Sequence, residues 1–186
     1  MTVEGFHIVQ NLELLVGCKM KLTDLFEEAH QLYHLTEFDK ALDLLEHDKF
    51  TRLWKHETKE GDYEGVSFSR NPKFHYGDKP VRFVVDLQKV KQKYKIVTLD
   101  AERAFHHSIE NPRWYVIKDR KLNSNGQQYA EEFVLGNLDQ LHKYLLRIEL
   151  LKPLANVVKM NQLKTALEAY SKKWKVQVYY FDKKKY

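Results

Sequence analysis

The apolar residues of this chain follow two different periods. Residues 37–47 place apolar side chains at intervals of three and four, which is typical of an amphipathic helix, and residues 156–172 follow the same period. Shorter runs rich in β-branched and aromatic residues, bounded by Gly, Pro, Asn or Asp, indicate strands. The predicted strands are residues 32–34, 65–69, 81–86, 94–98, 128–135, 144–150 and 174–181.

Local signals predict where these elements begin. Thr36 precedes the first helix and Asp39 follows three residues later, so we predict Thr36 as its N-cap. Residues 87–93 form a short helix or turn, and residues 59–62 form a turn. Because helices and strands do not alternate regularly, the pattern favours an α+β fold over a doubly wound parallel sheet.

The length of 186 residues fits one domain, or one domain with a small appendage. Met20 opens a segment with its own capping signal, and the stretch before it shares none of the later pattern. We therefore expect residues 1–19 to be an N-terminal extension and residues 20–186 to be a single α+β domain.

Composition narrows the class of protein. The single Cys18 excludes an intrachain disulfide framework and a Cys-rich zinc site, and it favours the reducing cytoplasm. The sequence contains no apolar run of about 18 residues, so no membrane span is predicted. No metal site is expected, since His106 and His107 are adjacent. The net charge of +5 is better explained by a solvated lysine surface than by a polyanion-binding one, although it permits both.

The first candidate motif is Tyr33-His34-Leu35-Thr36. A neutral histidine at the end of a strand offers one donor and one acceptor, so it can donate to a ribose hydroxyl. The structural alternative is a histidine whose ring is satisfied by nearby backbone.

The second candidate motif covers residues 65–70, Gly-Val-Ser-Phe-Ser-Arg. Ser67 and Ser69 alternate on a strand, so their hydroxyls share one face and leave room for a flat ring. The guanidinium of Arg70 suits bidentate contact with a pyrophosphate. An ordinary edge strand with one polar face is the alternative.

The third candidate motif is the pair Glu131 and Glu132, directly before the apolar run Phe133-Val134-Leu135. A carboxylate hydrogen-bonded to a ribose 2′-hydroxyl stabilises an oxocarbenium-like transition state. A solvated pair of glutamates entering a strand is the alternative.

The order and spacing of these motifs resemble the ADP-ribosyltransferase superfamily, whose signature is His, then a strand bearing Ser or Tyr, then Glu. The resemblance spans roughly residues 32–150. It implies a split, mainly antiparallel sheet core with flanking helices around a cleft for NAD. It further implies an NAD-dependent mono-ADP-ribosyltransferase, with NAD as substrate and a protein or nucleic acid as acceptor.

The resemblance also implies roles for single residues. His34, Ser67 and Glu132 would be catalytic, and we expect Glu132 at the mouth of the cleft, where it contributes little to packing. The residues implied to bind NAD are Tyr33, His34, Thr36, Ser67, Ser69 and Arg70.

The chain departs from the family pattern at three places. Leu35 stands where Gly is common, and Ala130 stands where arginine-modifying members carry Glu and others carry Gln, so modification of arginine or asparagine is not favoured. Tyr76 is the nearby candidate for the family tyrosine. These departures keep open a second function: a non-catalytic protein of the same fold that uses a basic surface on nucleic acid or a host protein.

The motifs are also similar to small phage proteins, in which the same segments follow in order. Here these segments are residues 65–70, 82–86 and 131–136. A phage origin would place the protein in the host cytoplasm.

Overall fold

The computed structural model describes residues 30–50, 53–58, 61–70, 79–100 and 130–180. Residues from Gln31 onward belong to one compact unit. The expected extension at residues 1–19 and Tyr76 lie outside the described residues. The described strands are β1 (Gln31–Thr36), β2 (Trp54–Thr58), β3 (Gly61–Ser69), β4 (Val81–Asp86), β5 (Ile96–Asp100), β6 (Ala130–Leu135), β7 (Leu145–Leu150) and β8 (Gln177–Tyr180).

Three α-helices lie within the described residues. They are α1 (Phe38–His47), α2 (Leu87–Lys93) and α3 (Val157–Trp174), and a 3-10 turn at Leu141–Lys143 precedes β7. None of the helices in this described part is both long and apolar enough to cross a membrane.

The described strands form one sheet in the order β5-β6-β3-β1-β4-β7-β8, and β2 forms a hairpin with β3 outside this path. Neighbouring strands are antiparallel except for β7 and β8, which are parallel. The strands and helices do not alternate as βαβ units, so the expected α+β class is confirmed.

The sheet opens between β1 and β3. β1 pairs with β4 along its whole length, from Gln31 to Thr36, but pairs with β3 only at Tyr33 and Ser69. A backbone group that loses its strand partner needs another one. This opening is therefore a place where side chains can reach backbone carbonyls.

Side chains alternate between two faces of the sheet. The helix face packs against α1 and α3 and carries the main core, which includes Leu32, Ala41, Val66, Phe68, Phe83, Val85, Val134, Ile148, Leu163 and Leu167. The second face carries a smaller buried cluster of Val97, Leu99 and Phe133. Each candidate residue therefore belongs to one of two separate environments.

Gly65 allows an unusually close approach of β3 to β6. A Cβ atom at this position would stand 2.0 Å from the carbonyl oxygen of Val134. Gly65 is paired with Leu135, so the close approach fixes the alignment of the two strands around this pair.

The predicted N-cap of α1 is wrong. Thr36 is the last residue of β1, where it pairs with Val81, and Glu37 is the residue that precedes the helix without a side-chain cap. Among the described residues, no group hydrogen-bonds the buried Oγ1 of Thr36. Strand pairing therefore prevails over the local capping signal.

Candidate functional site

The structure places His34 at the opening between β1 and β3. Its Nδ1 lies 2.8 Å from the carbonyl oxygen of Ser67. A carbonyl only accepts, so Nδ1 carries a proton and donates it to this bond. The His34 side chain thus supplies the hydrogen-bond donor for a β3 carbonyl, beside the point where the pairing of β1 with β3 ends.

Two aromatic rings surround His34. Phe50 lies edge-on with its centroid 4.7 Å away, and Phe68 lies 5.6 Å away. Burial lowers the pKa of His34 to about 4, and the nearby charges of Lys79 and Lys40 lower it further, against the opposing effect of the Ser67 bond.

His34 is therefore neutral at pH 7, with its single proton on Nδ1. Its Nε2 remains as an acceptor, and no described residue hydrogen-bonds it. The sequence led us to expect that this ring donates to a ribose hydroxyl. The geometry instead leaves Nε2 able to accept a hydrogen bond but not to donate one.

Glu132 lies on the helix face, opposite Phe68 in the β3–β6 pairing. Its side chain is only 2% exposed. Arg70 Nε lies 2.8 Å from Oε1, and the hydroxyl of Thr98 donates to Oε2 at 3.2 Å. The expectation that Glu132 stands at a cleft mouth and hardly affects packing is wrong, because strand alternation turns it inward onto Arg70.

His34 and Glu132 lie on the same face, on the two strands that flank β3. Phe68 separates them, since it contacts the His34 ring and is paired with Glu132. Thr36 and Arg70 share this face by strand alternation. The structure therefore brings four of the residues singled out in the sequence onto one face: His34, Thr36, Arg70 and Glu132.

The remaining candidates lie on the second face. Ser67 and Ser69 alternate with Phe68, so their side chains point away from His34, and Ser67 reaches it only through its carbonyl. Tyr33 is buried on the same second face, with its hydroxyl 3.1 Å from Gln31 Oε1 and Arg82 over its ring.

A carboxylate and a histidine also meet on the second face. Glu131 Oε2 lies 3.8 Å from His56 Nε2, and the His56 ring packs against Phe133. Burial raises the pKa of Glu131 to about 7 and lowers the pKa of His56. The two adjacent glutamates thus have different surroundings, an ion pair on one face and a desolvated site on the other.

Sequence reasoning missed three contributors to the helix-face site: Phe50, Phe68 and Thr98. Phe50 follows α1 by a few residues and carries no polar group that marks it. Thr98 is the one hydroxyl in β5 and lies between the apolar residues Val97 and Leu99, which is a usable signal that this position meets a polar partner. Its partner on β6 becomes evident only from the strand pairing.

A polar cluster joins α1, the 3-10 turn and α3. Asp48 accepts hydrogen bonds from the backbone N–H and ring Nδ1 of His142 and from the hydroxyl of Tyr170. The His142 ring stacks on Trp174 at 3.7 Å. We call Asp48, His142, Tyr170 and Trp174 the anchor cluster. Beside it, a groove of about 550 Å³ runs between α1 and α3.

No three or more His, Cys, Asp or Glu side chains of the described part are arranged to hold a metal ion. Comparison of the chain with protein-family models, with curated proteins and with solved structures finds no match.

Proposed function

We propose that this protein is an NAD-dependent mono-ADP-ribosyltransferase that acts on a macromolecular acceptor, a protein or a nucleic acid. The observation that carries the proposal is the position of His34 and Glu132 on one face of the sheet, on either side of Phe68. His34 borders the opening between β1 and β3, and Glu132 lies on β6, on the other side of β3, so we propose that a ligand lies across Phe68 to meet both side chains. The proposal includes a cytoplasmic location, in the host if the protein is viral.

The reaction breaks the bond between C1′ of the ribose and the nicotinamide nitrogen, which leaves with the electron pair. A nucleophile of the acceptor then forms a bond to C1′ and loses its proton. Between these events C1′ carries positive charge, which an anion held nearby stabilises. Glu132 is our candidate for that anion.

The residues on this face suit the polar parts of NAD. The Nε2 of His34, which no described residue hydrogen-bonds, accepts a hydrogen bond from a ribose hydroxyl. A carboxylate oxygen accepts more than one hydrogen bond, so Glu132 Oε2 can take a ribose hydroxyl beside that of Thr98. Arg70 supplies the positive charge that a pyrophosphate favours, and Thr36 has a hydroxyl on the same face.

Nicotinamide release tests the proposal directly. We expect the wild type to release nicotinamide from NAD and Glu132→Gln to do so about 100- to 1000-fold more slowly. Glu149→Gln is the matched control, because Glu149 is also a largely buried carboxylate paired with arginines, Arg82 and Arg147, on the second face. Equal rates in wild type and a folded Glu132→Gln contradict the proposal.

A second function is favoured by the Arg70–Glu132 ion pair itself. Both oxygens of this buried carboxylate already have partners, as expected of a structural pair in a non-catalytic protein of the same fold. Such a protein would use its net charge of +5 on nucleic acid or a host protein. Binding to nucleic acid should then fall steeply with salt, because the contacts are to phosphates.

Thermal stability with and without NAD separates the two functions. A ligand at 100 times its dissociation constant stabilises the folded state by about 2.7 kcal/mol. A melting temperature that rises with NAD but not with a single-stranded oligonucleotide supports the transferase. The reverse result supports the binding protein.

A further inference from the structure

Phe50 touches both rings of the candidate site. Its ring lies 4.7 Å from that of His34 and 5.6 Å from that of Phe68, edge-on to each. Phe50 is 4% exposed, and its backbone N–H donates to the carbonyl of Leu138 at 3.3 Å. The phenyl ring therefore excludes water from one side of the imidazole.

Asp48, two residues before Phe50, is held in place through both its backbone and its side chain. Asp48 adopts a left-handed conformation, with φ 52°, as it ends α1, and its N–H donates to the carbonyl of Leu44. Its carbonyl accepts from Leu141 at 2.8 Å. Its carboxylate accepts from His142 and Tyr170.

Through the anchor cluster, Asp48 at the end of α1 is thus linked to two further elements. His142 belongs to the 3-10 turn and Tyr170 to α3, and stacking of His142 on Trp174 fixes the plane of its ring. Burial and the Asp48 carboxylate raise the pKa of Tyr170, so its hydroxyl keeps the proton that it donates. Three elements therefore determine where the chain leaves α1 and where Phe50 lies.

We propose that Phe50 is the positioning residue of His34, and that the anchor cluster holds Phe50 in place. Phe50 reaches no reacting group of its own. It fixes the orientation of the imidazole and shields one side of the ring from water, so that the ring stays neutral and Nε2 stays a hydrogen-bond acceptor. The consequence for NAD rests on the proposed function, whereas the state of His34 does not.

The ring of His34 is a direct reporter of this arrangement. The charges that act on it are Lys40 on α1 and Lys79 just before β4, while β3 contributes the carbonyl of Ser67 and the uncharged ring of Phe68. Desolvation is the largest of these effects on its pKa. Admitting water beside the ring should therefore raise the pKa of His34 more than removing the charge of Lys40 or Lys79 would.

The test is an NMR titration of the His34 ring in the whole 186-residue chain. We expect its pKa near 4 in the wild type, about 1 higher in Phe50→Ala, and near the wild-type value in Phe50→Leu, which keeps most of the apolar cover. Phe133→Leu is the matched control, since this buried phenylalanine lies on the second face. An unchanged His34 pKa in a folded Phe50→Ala overturns the proposal.

The anchor cluster is tested by Asp48→Asn. Asparagine keeps the size and the oxygen that accepts from Tyr170, but it places an NH2 donor where His142 Nδ1 now donates, so this bond is lost unless the His142 ring changes its tautomer. We expect the His34 pKa to rise, by less than in Phe50→Ala. No change in a folded Asp48→Asn removes the anchor cluster from the proposal.

Kinetics then separate this inference from the proposed function. If the protein releases nicotinamide, Phe50→Ala should raise KM for NAD about tenfold, with a smaller effect on kcat, as expected for one lost hydrogen bond to substrate. If no NAD reaction exists, the His34 titration still decides whether Phe50 positions the ring.

Discussion

Arg70 and Glu132 form a buried ion pair that joins β3 to β6, with Nε 2.8 Å from Oε1. Glu132 is 2% exposed, and the Arg70 side chain is 21% exposed. Charges held this far from water are costly unless each has its partner. The pair therefore links the stability of the fold to the same carboxylate that we propose for the chemistry.

Glu132→Gln should accordingly destabilise the protein as well as slow it. Loss of one partner of a buried pair costs about 3–5 kcal/mol, because the remaining charge stays buried. Arg70→Met should restore part of this loss in the Glu132→Gln background, since it removes the orphaned charge. Urea unfolding of the single and double variants measures both effects. Additive losses would show that the two side chains are not coupled.

The stability of the protein should fall in acid because of His34. The unfolded histidine titrates near 6.5, whereas the folded one titrates near 4, so the unfolded chain binds a proton first as the pH falls. As the pH falls from 6.5 to 4, protonation of this group in the unfolded chain should lower the free energy of unfolding by roughly 2–3 kcal/mol. His34→Asn keeps a donor for the Ser67 carbonyl but does not titrate, so its unfolding free energy should depend less on pH. His47→Asn, an exposed histidine at the end of α1, should behave like the wild type.

Glu131 should have the opposite pH dependence. Its pKa is raised from 4.5 to about 7 by burial, so the folded state keeps a proton that the unfolded chain has already lost. Stability from this group is present below pH 4.5 and is lost as the pH rises through 7. Glu131→Gln should therefore be more stable than the wild type at pH 8, by roughly 2–3 kcal/mol. Glu64→Gln, on the exposed part of β3, serves as the control, and an equal gain there would count against burial as the cause.

Gly65→Ala should be among the most damaging small substitutions. The added methyl group would stand 2.0 Å from the Val134 carbonyl oxygen, so β3 and β6 must move apart. We expect a loss of about 3 kcal/mol or more, measured by urea unfolding. Gly61→Ala is the comparison, because no atom lies within 4 Å of its Cβ and only its φ of +128° is unfavourable. A loss in Gly65→Ala no larger than that in Gly61→Ala would count against the close approach as the cause, since Gly65 has no positive φ.

The most regular segments of the fold were predicted well from sequence. The strand at residues 81–86 has the predicted bounds, and residues 87–93, expected as a short helix or turn, form a helix over that range, because a dense apolar run is followed by Asp86, whose carboxylate caps the helix. The strand predicted at residues 94–98 instead spans Ile96–Asp100. Its bounds depend on pairing with β6, which local patterns do not encode.

The hairpin of β2 and β3 was only partly predicted. β3 was expected from Gly65, yet it begins at Gly61, because the polar residues before Gly65 gain hydrogen bonds from β2. Such an extension depends on a neighbouring strand rather than on apolar content. Polar strand ends are therefore the least predictable part of this sheet.

For the candidate site, sequence indicated residue types but not their environments. Alternation correctly separates Glu131 from Glu132, since it needs only the period of a strand. The burial of Glu132 could not be foreseen, because Thr98 lies 34 residues away and Arg70 directly follows another strand, β3. The Ser67 carbonyl that binds His34 is a backbone group 33 residues away, which no motif marks.

The close approach at Gly65 has a consequence for deletions in β6. Removing the codon for Glu131 and removing the codon for Glu132 give the same protein, with a single glutamate directly before Phe133. Because the strand from Phe133 to Leu135 is aligned against Gly65–Ser67, the remaining glutamate takes the inward position opposite Phe68. A one-residue deletion therefore removes only the carboxylate beside His56, whichever codon is lost, and the partner of Arg70 survives it.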